Sequence, residues 1–280
     1  MLKQRILTAL VLLLLMLGMF FYTDGLVWAV FCGLIALLTL WEYARLCGMS
    51  ARHNAIYLAV STVVLLMLWF SRLLPDALFF GIVSTCGVII LIFWLLVVPL
   101  WLKCKWRLQA NVWAWLVGWL LVLPFWSALV LLHSERKELL LGAMVLVWLT
   151  DIGAYFVGRA FGKHKLAPVI SPKKSWEGAV GGVVCALLFS WWVHAQYLSD
   201  LPLILILLTA LLLAVVSILG DLLESWLKRA ADVKDSSHLL PGHGGVFDRV
   251  DSLLAVLGVL LALPLTVFFL YLFKIPPFFS

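Results

Sequence analysis

Long apolar runs separated by short polar breaks set the pattern of this chain. Nine such runs fall at about 6–22, 26–41, 55–70, 77–100, 112–132, 139–158, 179–198, 201–219 and 252–273. A helix of about 20 apolar residues crosses the hydrocarbon core of a bilayer, so most of these runs predict spanning helices, the second and third being short for a span. Polar breaks at Thr23-Asp24-Gly25 and Ser199-Asp200 separate neighbours that hydropathy alone would merge. The expected fold is all-α: a polytopic integral membrane protein of about nine transmembrane helices.

Composition agrees. The chain is 65% hydrophobic and 12% charged, whereas soluble domains carry roughly 45–50% apolar and about 25% charged residues. Basic residues then set the orientation, because they are retained on the cytoplasmic side. With the amino terminus inside and the carboxyl terminus outside, only Arg72, Arg136, Lys137 and Lys274 of the 20 Lys and Arg residues fall outside. The opening "MLKQRILTALVLLLLMLGMFFYTDG" has the charged-then-apolar profile of a secretory signal. It lacks a small-x-small cleavage site, so it is expected to remain as the first span. The five cysteines show no CxxC or metal spacing, which predicts neither a disulfide framework nor a structural zinc site. No internal repeat or linker divides the chain, so one integral membrane domain is expected, with an N-terminal helical half (1–138) and a catalytic C-terminal half (139–280).

Polarity gathers in two inner loops, 159–178 and 220–251. Just before the first, Asp151 lies within apolar sequence, where an unpaired carboxylate costs about 2.5–3.5 kcal/mol or more. It is either neutralised by a cation of a neighbouring helix or part of a site. Arg159, Lys163, Lys165, Lys173 and Lys174 follow, with Pro168 and Pro172 forbidding a continuous helix. Two roles fit this cluster: an anchor on anionic headgroups or a holder of a phosphate-rich substrate. The stretch "GRAFGKHK" is not a phosphate-binding P-loop, since the glycine spacing is one residue short and His164 stands where Ser or Thr is required.

The second loop reads "GDLLESWLKRAADVKDSSHLLPGHGGVFDRVDSLL". Asp221, Glu224 and Ser225 are spaced i, i+3, i+4 and share one face of a helix. Asp248 and Asp251 repeat the i, i+3 spacing where the ninth span begins. Acids are favoured at that helix start, so capping is the plain alternative to metal binding for Asp248 and Asp251. Capping does not account for Asp221 and Glu224, which stand at a helix carboxyl end, where the dipole disfavours them. Brought together by a turn, the four acids are oxygen ligands of the kind that suits Mg2+ or Mn2+. Pro241 stops a helix, while Gly242, Gly244 and Gly245 allow the fold-back and an anion-binding nest of backbone N–H groups. His243 reads equally well as a phosphate donor or as a buried structural group. Acids for a cation, with cations and backbone donors for phosphate, compose a membrane-embedded enzyme handling a nucleotide or phospholipid by metal-assisted transfer at phosphorus.

The segment "SWLKRAADVKDSSHLLPGHGGVFDRVD", Ser225 to Asp251, resembles the signature of the phosphatidate cytidylyltransferase (CDP-diacylglycerol synthase) family. Lys228, Arg229, Lys234, Asp235, the turn Pro241 to Gly245, Asp248, Arg249 and Asp251 fall in register. The upstream "DIGAYFVGRAFGKHKLAPVISPKKSWEG" is also similar, so the resemblance is close over roughly residues 148–255 and is one of hydropathy only in the amino-terminal half. Ser237 stands where the family commonly has Gly, and Ser175 where it has Thr.

The resemblance implies CTP and phosphatidic acid as substrates, CDP-diacylglycerol and pyrophosphate as products, Mg2+ as cofactor and a homodimer. It places the metal role on Asp221 and Asp248, with Asp251, Glu224 and Asp235 in support. Lys228, Arg229, Lys234 and Arg249 are expected to hold the triphosphate, with Ser225, Asp235, His243 and the turn glycines close to it. Lys173 and Lys174 are expected at the lipid phosphate, although the two cation groups could exchange roles. The expected partners are CTP, phosphatidic acid and bilayer lipid rather than nucleic acid. The expected site faces the cytoplasm from a bacterial inner membrane. A CTP-dependent polyprenol or lipid kinase, which would release CDP, is the nearest alternative. A transporter fits less well, because the charges gather at one face instead of near the midplane of several spans.

Overall fold

The computed structural model describes residues 2–263. They form a helical bundle: α1 (Leu2–Tyr22), α2 (Gly25–Leu46), α3 (Ala51–Phe70), α4 (Asp76–Ile92), α5 (Val98–Cys104), α6 (Val112–Glu135), α7 (Lys137–Phe161), α8 (Trp176–Tyr197), α9 (Leu203–Ala230) and α10 (Phe247–Ala262). A π-helical turn, Phe93–Val97, joins α4 to α5, so the two continue as one rod. Among the described residues, seven helical stretches are long and apolar enough to cross a membrane: those of α2, α3, α6, α7, α8 and α9, and the rod from Thr85 to Cys104. The apolar part of α1, Leu7–Tyr22, is shorter. The ninth expected run continues to 273 and so lies partly outside the described residues, as do Lys274 and the carboxyl terminus. The chain is thus an all-α polytopic membrane protein by helix length and composition.

Two departures from the sequence expectation bear on the site. The first inner loop is not wholly irregular: β1 (Lys165–Ala167) and β2 (Ser171–Ser175) pair antiparallel as a small hairpin. Pro168 stands between them, where no backbone N–H is needed. The eighth apolar run ends near 219, which puts Asp221 and Glu224 at a helix carboxyl end, yet α9 runs on to Ala230 and holds both acids inside the helix. Leu222, Leu223, Trp226 and Leu227 continue its buried stripe and carry the helix past the acids.

Local sequence explains the helix ends. Ser50, Asn111 and Ser175 are N-caps whose side chains accept from His53, from Trp113 and Ala114, and from Gly178 backbone N–H groups. Helix α2 closes on Gly48 at φ +75°, with the Met49 N–H returning to the Ala44 carbonyl.

Between helices, indole and phenol donors reach main-chain carbonyls, as a low-dielectric interior demands of buried polar groups. Trp28 donates to Leu129, Trp126 to Ala29 and Tyr43 to Ala114, which staples α2 against α6. Helices α7 and α8 approach through small residues. A Cβ at Gly178 would lie 2.8 Å from the Ala154 carbonyl oxygen, and one at Gly153 would lie 2.6 Å from Cys185 Sγ.

The carboxyl ends of α2, α5, α7 and α9 and the amino ends of α6, α8 and α10 gather at one pole. Contacts there include Trp226 with the Trp106 carbonyl (2.7 Å) and Tyr43 with Ala114. At the other pole Lys137 pairs with Asp24 at 2.7 Å, and His133 Nε2 lies 2.9 Å from the Phe20 carbonyl oxygen.

Candidate metal and phosphate site

Helices α9 and α10 can meet closely because Gly220 precedes the first acid. A Cβ there would stand 2.7 Å from the Asp251 carbonyl oxygen and 2.8 Å from Ala255 Cβ. Across that contact Asp221, Glu224 and Asp251 each offer an oxygen, all within 4.8 Å of one another. Glu224 is buried, and its Oε1 has no hydrogen-bond partner. A buried carboxylate oxygen left unpaired is costly, and a divalent cation would satisfy three converging carboxylates. The residues present therefore fit Mg2+ or Mn2+, both of which favour oxygen ligands.

Asp248 stands beside this trio with both oxygens engaged. Its Oδ1 lies 2.6 Å from Lys228 Nζ, and its Oδ2 accepts from Ser236 N and Oγ (both 2.9 Å) and Gly245 N (2.7 Å). Burial pushes this carboxyl up, but the Lys228 ammonium and the backbone donors Gly245 N and Ser236 N outweigh it and hold Asp248 well below the usual carboxylate range. Lys228 also reaches Glu224 Oε2 at 2.8 Å, so one ammonium joins Asp248 to the trio. Ser225 Oγ donates to Asp221 Oδ1 at 3.3 Å. From the hairpin, Lys174 forms an ion pair with Asp221. Lys173, its neighbour on β2, is exposed on the opposite face, as strand alternation requires. Asp151 on α7 lies within electrostatic reach of Asp221, Asp251 and Lys174. The two inner loops thus meet at one acidic centre.

Beside it the Pro-Gly-His-Gly-Gly turn folds back, Leu240 N donating to the Gly244 carbonyl at 2.9 Å. Gly242 and Gly244 take φ of +76° and +84°. Arg249 grips the His243 carbonyl through Nε (3.0 Å) and a terminal nitrogen (2.7 Å), bracing the turn from α10. An open polar cleft there is lined by Lys234, Asp235, His238, Gly242, His243 and Arg249. His243 Nδ1 is buried without a partner, while Lys234 and Asp235 are exposed. Arg229 is exposed and donates to the Val233 carbonyl at 3.2 Å.

Sequence reasoning missed Glu42. This residue of α2 is fully buried. Its Oε1 accepts from Ser237 Oγ (2.5 Å) and Val246 N (3.0 Å), and its Oε2 from Ser236 Oγ (2.8 Å) and Phe247 N (2.7 Å). A lone acid in an apolar helix is the signal that singled out Asp151, and it applies equally to Glu42. Its place next to Arg45, where the run ends, disguised it as part of a polar boundary.

The Cytidylyltransferase family model matches residues 3–268. A phosphatidate cytidylyltransferase of Pseudomonas aeruginosa is 44% identical over 275 residues, covering 94% of this chain and 97% of that protein. One of Haemophilus influenzae is 33% identical over 279 residues, covering 91% and 96%. One of Bacillus subtilis is 52% identical over a shorter stretch of 118 residues, 42% of this chain and 44% of that protein.

Proposed function

This chain belongs to the cytidylyltransferase family, and on that premise we propose that it transfers the cytidylyl group of CTP to phosphatidic acid, giving CDP-diacylglycerol and pyrophosphate. The observation that carries the chemical reading is the meeting of Asp221, Glu224 and Asp251 around a buried oxygen that lacks a partner. Asp221, Glu224 and Asp251 hold Mg2+, with Mn2+ as a substitute. Asp248 would serve as a fourth acid beside them. The bound cation supplies charge neutralisation between two anionic reactants.

The lipid phosphate is a monoester with a second pKa near about 6, so it is largely dianionic at neutral pH and needs no general base. One of its oxygens attacks the α-phosphorus of CTP. The bond from that phosphorus to the bridging oxygen breaks, and pyrophosphate leaves with the electron pair. Lys234 and Arg249, with the backbone donors of Gly242 and Gly244, hold the triphosphate in the cleft, where His243 and Asp235 complete the lining. Arg229 assists from the end of α9, and Gly245 serves through its N–H bond to Asp248. Lys228 balances the charge between Glu224 and Asp248, and Ser225 orients Asp221. Lys174 exchanges Asp221 for the lipid phosphate, assisted by Lys173. Residues 139–280 supply these groups. The chain crosses a bacterial inner membrane nine times as a homodimer, with this pole in the cytoplasm and acyl tails between the helices.

Pyrophosphate release by the purified protein tests the reading. Release is expected only when CTP, phosphatidic acid and Mg2+ are all present, and release without phosphatidic acid would contradict it.

A further inference from the structure

Glu42 stands outside the acidic trio, yet it is tied to the segment that builds it. Its four hydrogen bonds all come from residues 236–247, the strap that leads into α10. Two of the donors, Val246 N and Phe247 N, are among the amide groups that a helix start leaves without an intrahelical partner. Among the described residues, the hydrogen-bond donors to this fully buried carboxylate are two hydroxyls and two amides, with the positive pole of α10 facing it. Gly245 makes the approach possible, because a Cβ there would lie 2.5 Å from both Glu42 carboxylate oxygens.

A continuous path then leads from Glu42 to the trio. Ser236 Oγ touches Glu42 Oε2 and Asp248 Oδ2, Asp248 Oδ1 meets Lys228, and Lys228 meets Glu224. A second path runs along α10, whose first turn Glu42 caps and whose second turn carries Asp251. Helix α2 is itself fixed to α6 through Trp28, Tyr43 and Trp126. The amino-terminal half therefore supplies a rigid post to which the strap and α10 are moored.

We propose that Glu42 is a positioning residue for the metal site: from α2 it holds the 236–247 strap and the start of α10 in the register that brings Asp251 and Glu224 together. This rests on the reading of Asp221, Glu224 and Asp251 as the cation ligands. A role of this kind differs from plain structural support in what its loss does. Partners that orient metal ligands typically change metal affinity about 10–100-fold when mutated. A purely structural group changes how much protein folds and leaves the affinity of the folded sites alone.

The test is Mn2+ binding to the purified full-length protein in detergent, followed by electron paramagnetic resonance, with the dissociation constant and the number of sites both read. Glu42→Gln is expected to weaken Mn2+ about tenfold with the site number unchanged. Glu42→Asp, which keeps the charge, is expected to recover part of the loss. An unchanged dissociation constant in Glu42→Gln, or fewer sites at unchanged affinity, overturns the proposal. If Glu42→Gln does not yield folded protein, Ser237→Ala removes one hydrogen bond to Glu42 and decides the matter. A weaker Mn2+ affinity in Ser237→Ala supports the proposal, and a wild-type affinity overturns it. Asp251→Asn is run in parallel and is expected to abolish binding. Wild-type binding in Asp251→Asn would overturn the metal reading itself, whereas its loss there beside an unaltered Glu42→Gln would overturn only the role of Glu42.

Discussion

Lys228 places its ammonium 2.6 Å from Asp248 Oδ1, joining the last turns of α9 to the first turn of α10. The same nitrogen lies 2.8 Å from Glu224, and all three side chains are largely buried. Removing one partner from a buried ionic group leaves uncompensated charge at a cost of about 3–5 kcal/mol. Lys228→Met is thus expected to lower stability by about 3 kcal/mol and to abolish transfer, while Lys228→Arg retains part of both. Thermal unfolding in detergent beside a turnover assay checks this, and a Lys228→Met protein of wild-type stability would contradict it.

Gly220 sets the spacing of α9 and α10. Gly220→Ala would drive a methyl group into the Asp251 carbonyl and Ala255, and overpacking of this kind costs about 1–3 kcal/mol. Stability and Mn2+ affinity should fall together. Gly142 on α7 has open space around a built Cβ, so Gly142→Ala should leave the melting temperature unchanged or raise it slightly through helix propensity.

The second to eighth apolar runs were legible as long apolar helices because hydropathy reports on bilayer physics directly. The acids of the second loop were legible through i, i+3 spacing. Two things were not. Residues after 219 look polar in composition, but Leu222, Leu223, Trp226 and Leu227 bury one face and keep α9 helical to Ala230. Glu42 was hidden because its partners lie 194 to 205 residues away in sequence. A lone acid in an apolar helix marks Glu42 as unusual, but nothing local shows that it caps another helix. Spacing also did not separate Asp248 from the trio, since which acid turns to Lys228 depends on the Ser236 and Gly245 donors.

Lys174 separates the two basic clusters by function. Its ion pair with Asp221 is partly exposed, and exposed pairs contribute at most about 1 kcal/mol. Lys174→Gln should therefore shift the melting temperature little. Under the assignment of Lys174 to the lipid phosphate, KM for phosphatidic acid should rise while KM for CTP stays near its wild-type value. A rise confined to CTP would transfer Lys174 to the triphosphate.

Chelation should act on the acidic centre before it acts on the bundle. Treatment with EDTA is expected to stop pyrophosphate release, and Mg2+ or Mn2+ is expected to restore it. Far-ultraviolet circular dichroism should remain helical throughout, because the stapled core of α2 and α6 makes no use of the cation. Loss of helicity on chelation would contradict this separation.

The central claim is tested most directly by following the α-phosphorus. Purified protein is given phosphatidic acid in mixed micelles, Mg2+ and CTP labelled at that atom, and the lipid and aqueous phases are counted. The account predicts label in the lipid with an equal amount of pyrophosphate in solution, and loss of both in Asp248→Ala. Label retained in soluble CDP, with an unlabelled phosphate gained by the lipid, would contradict it and identify a kinase.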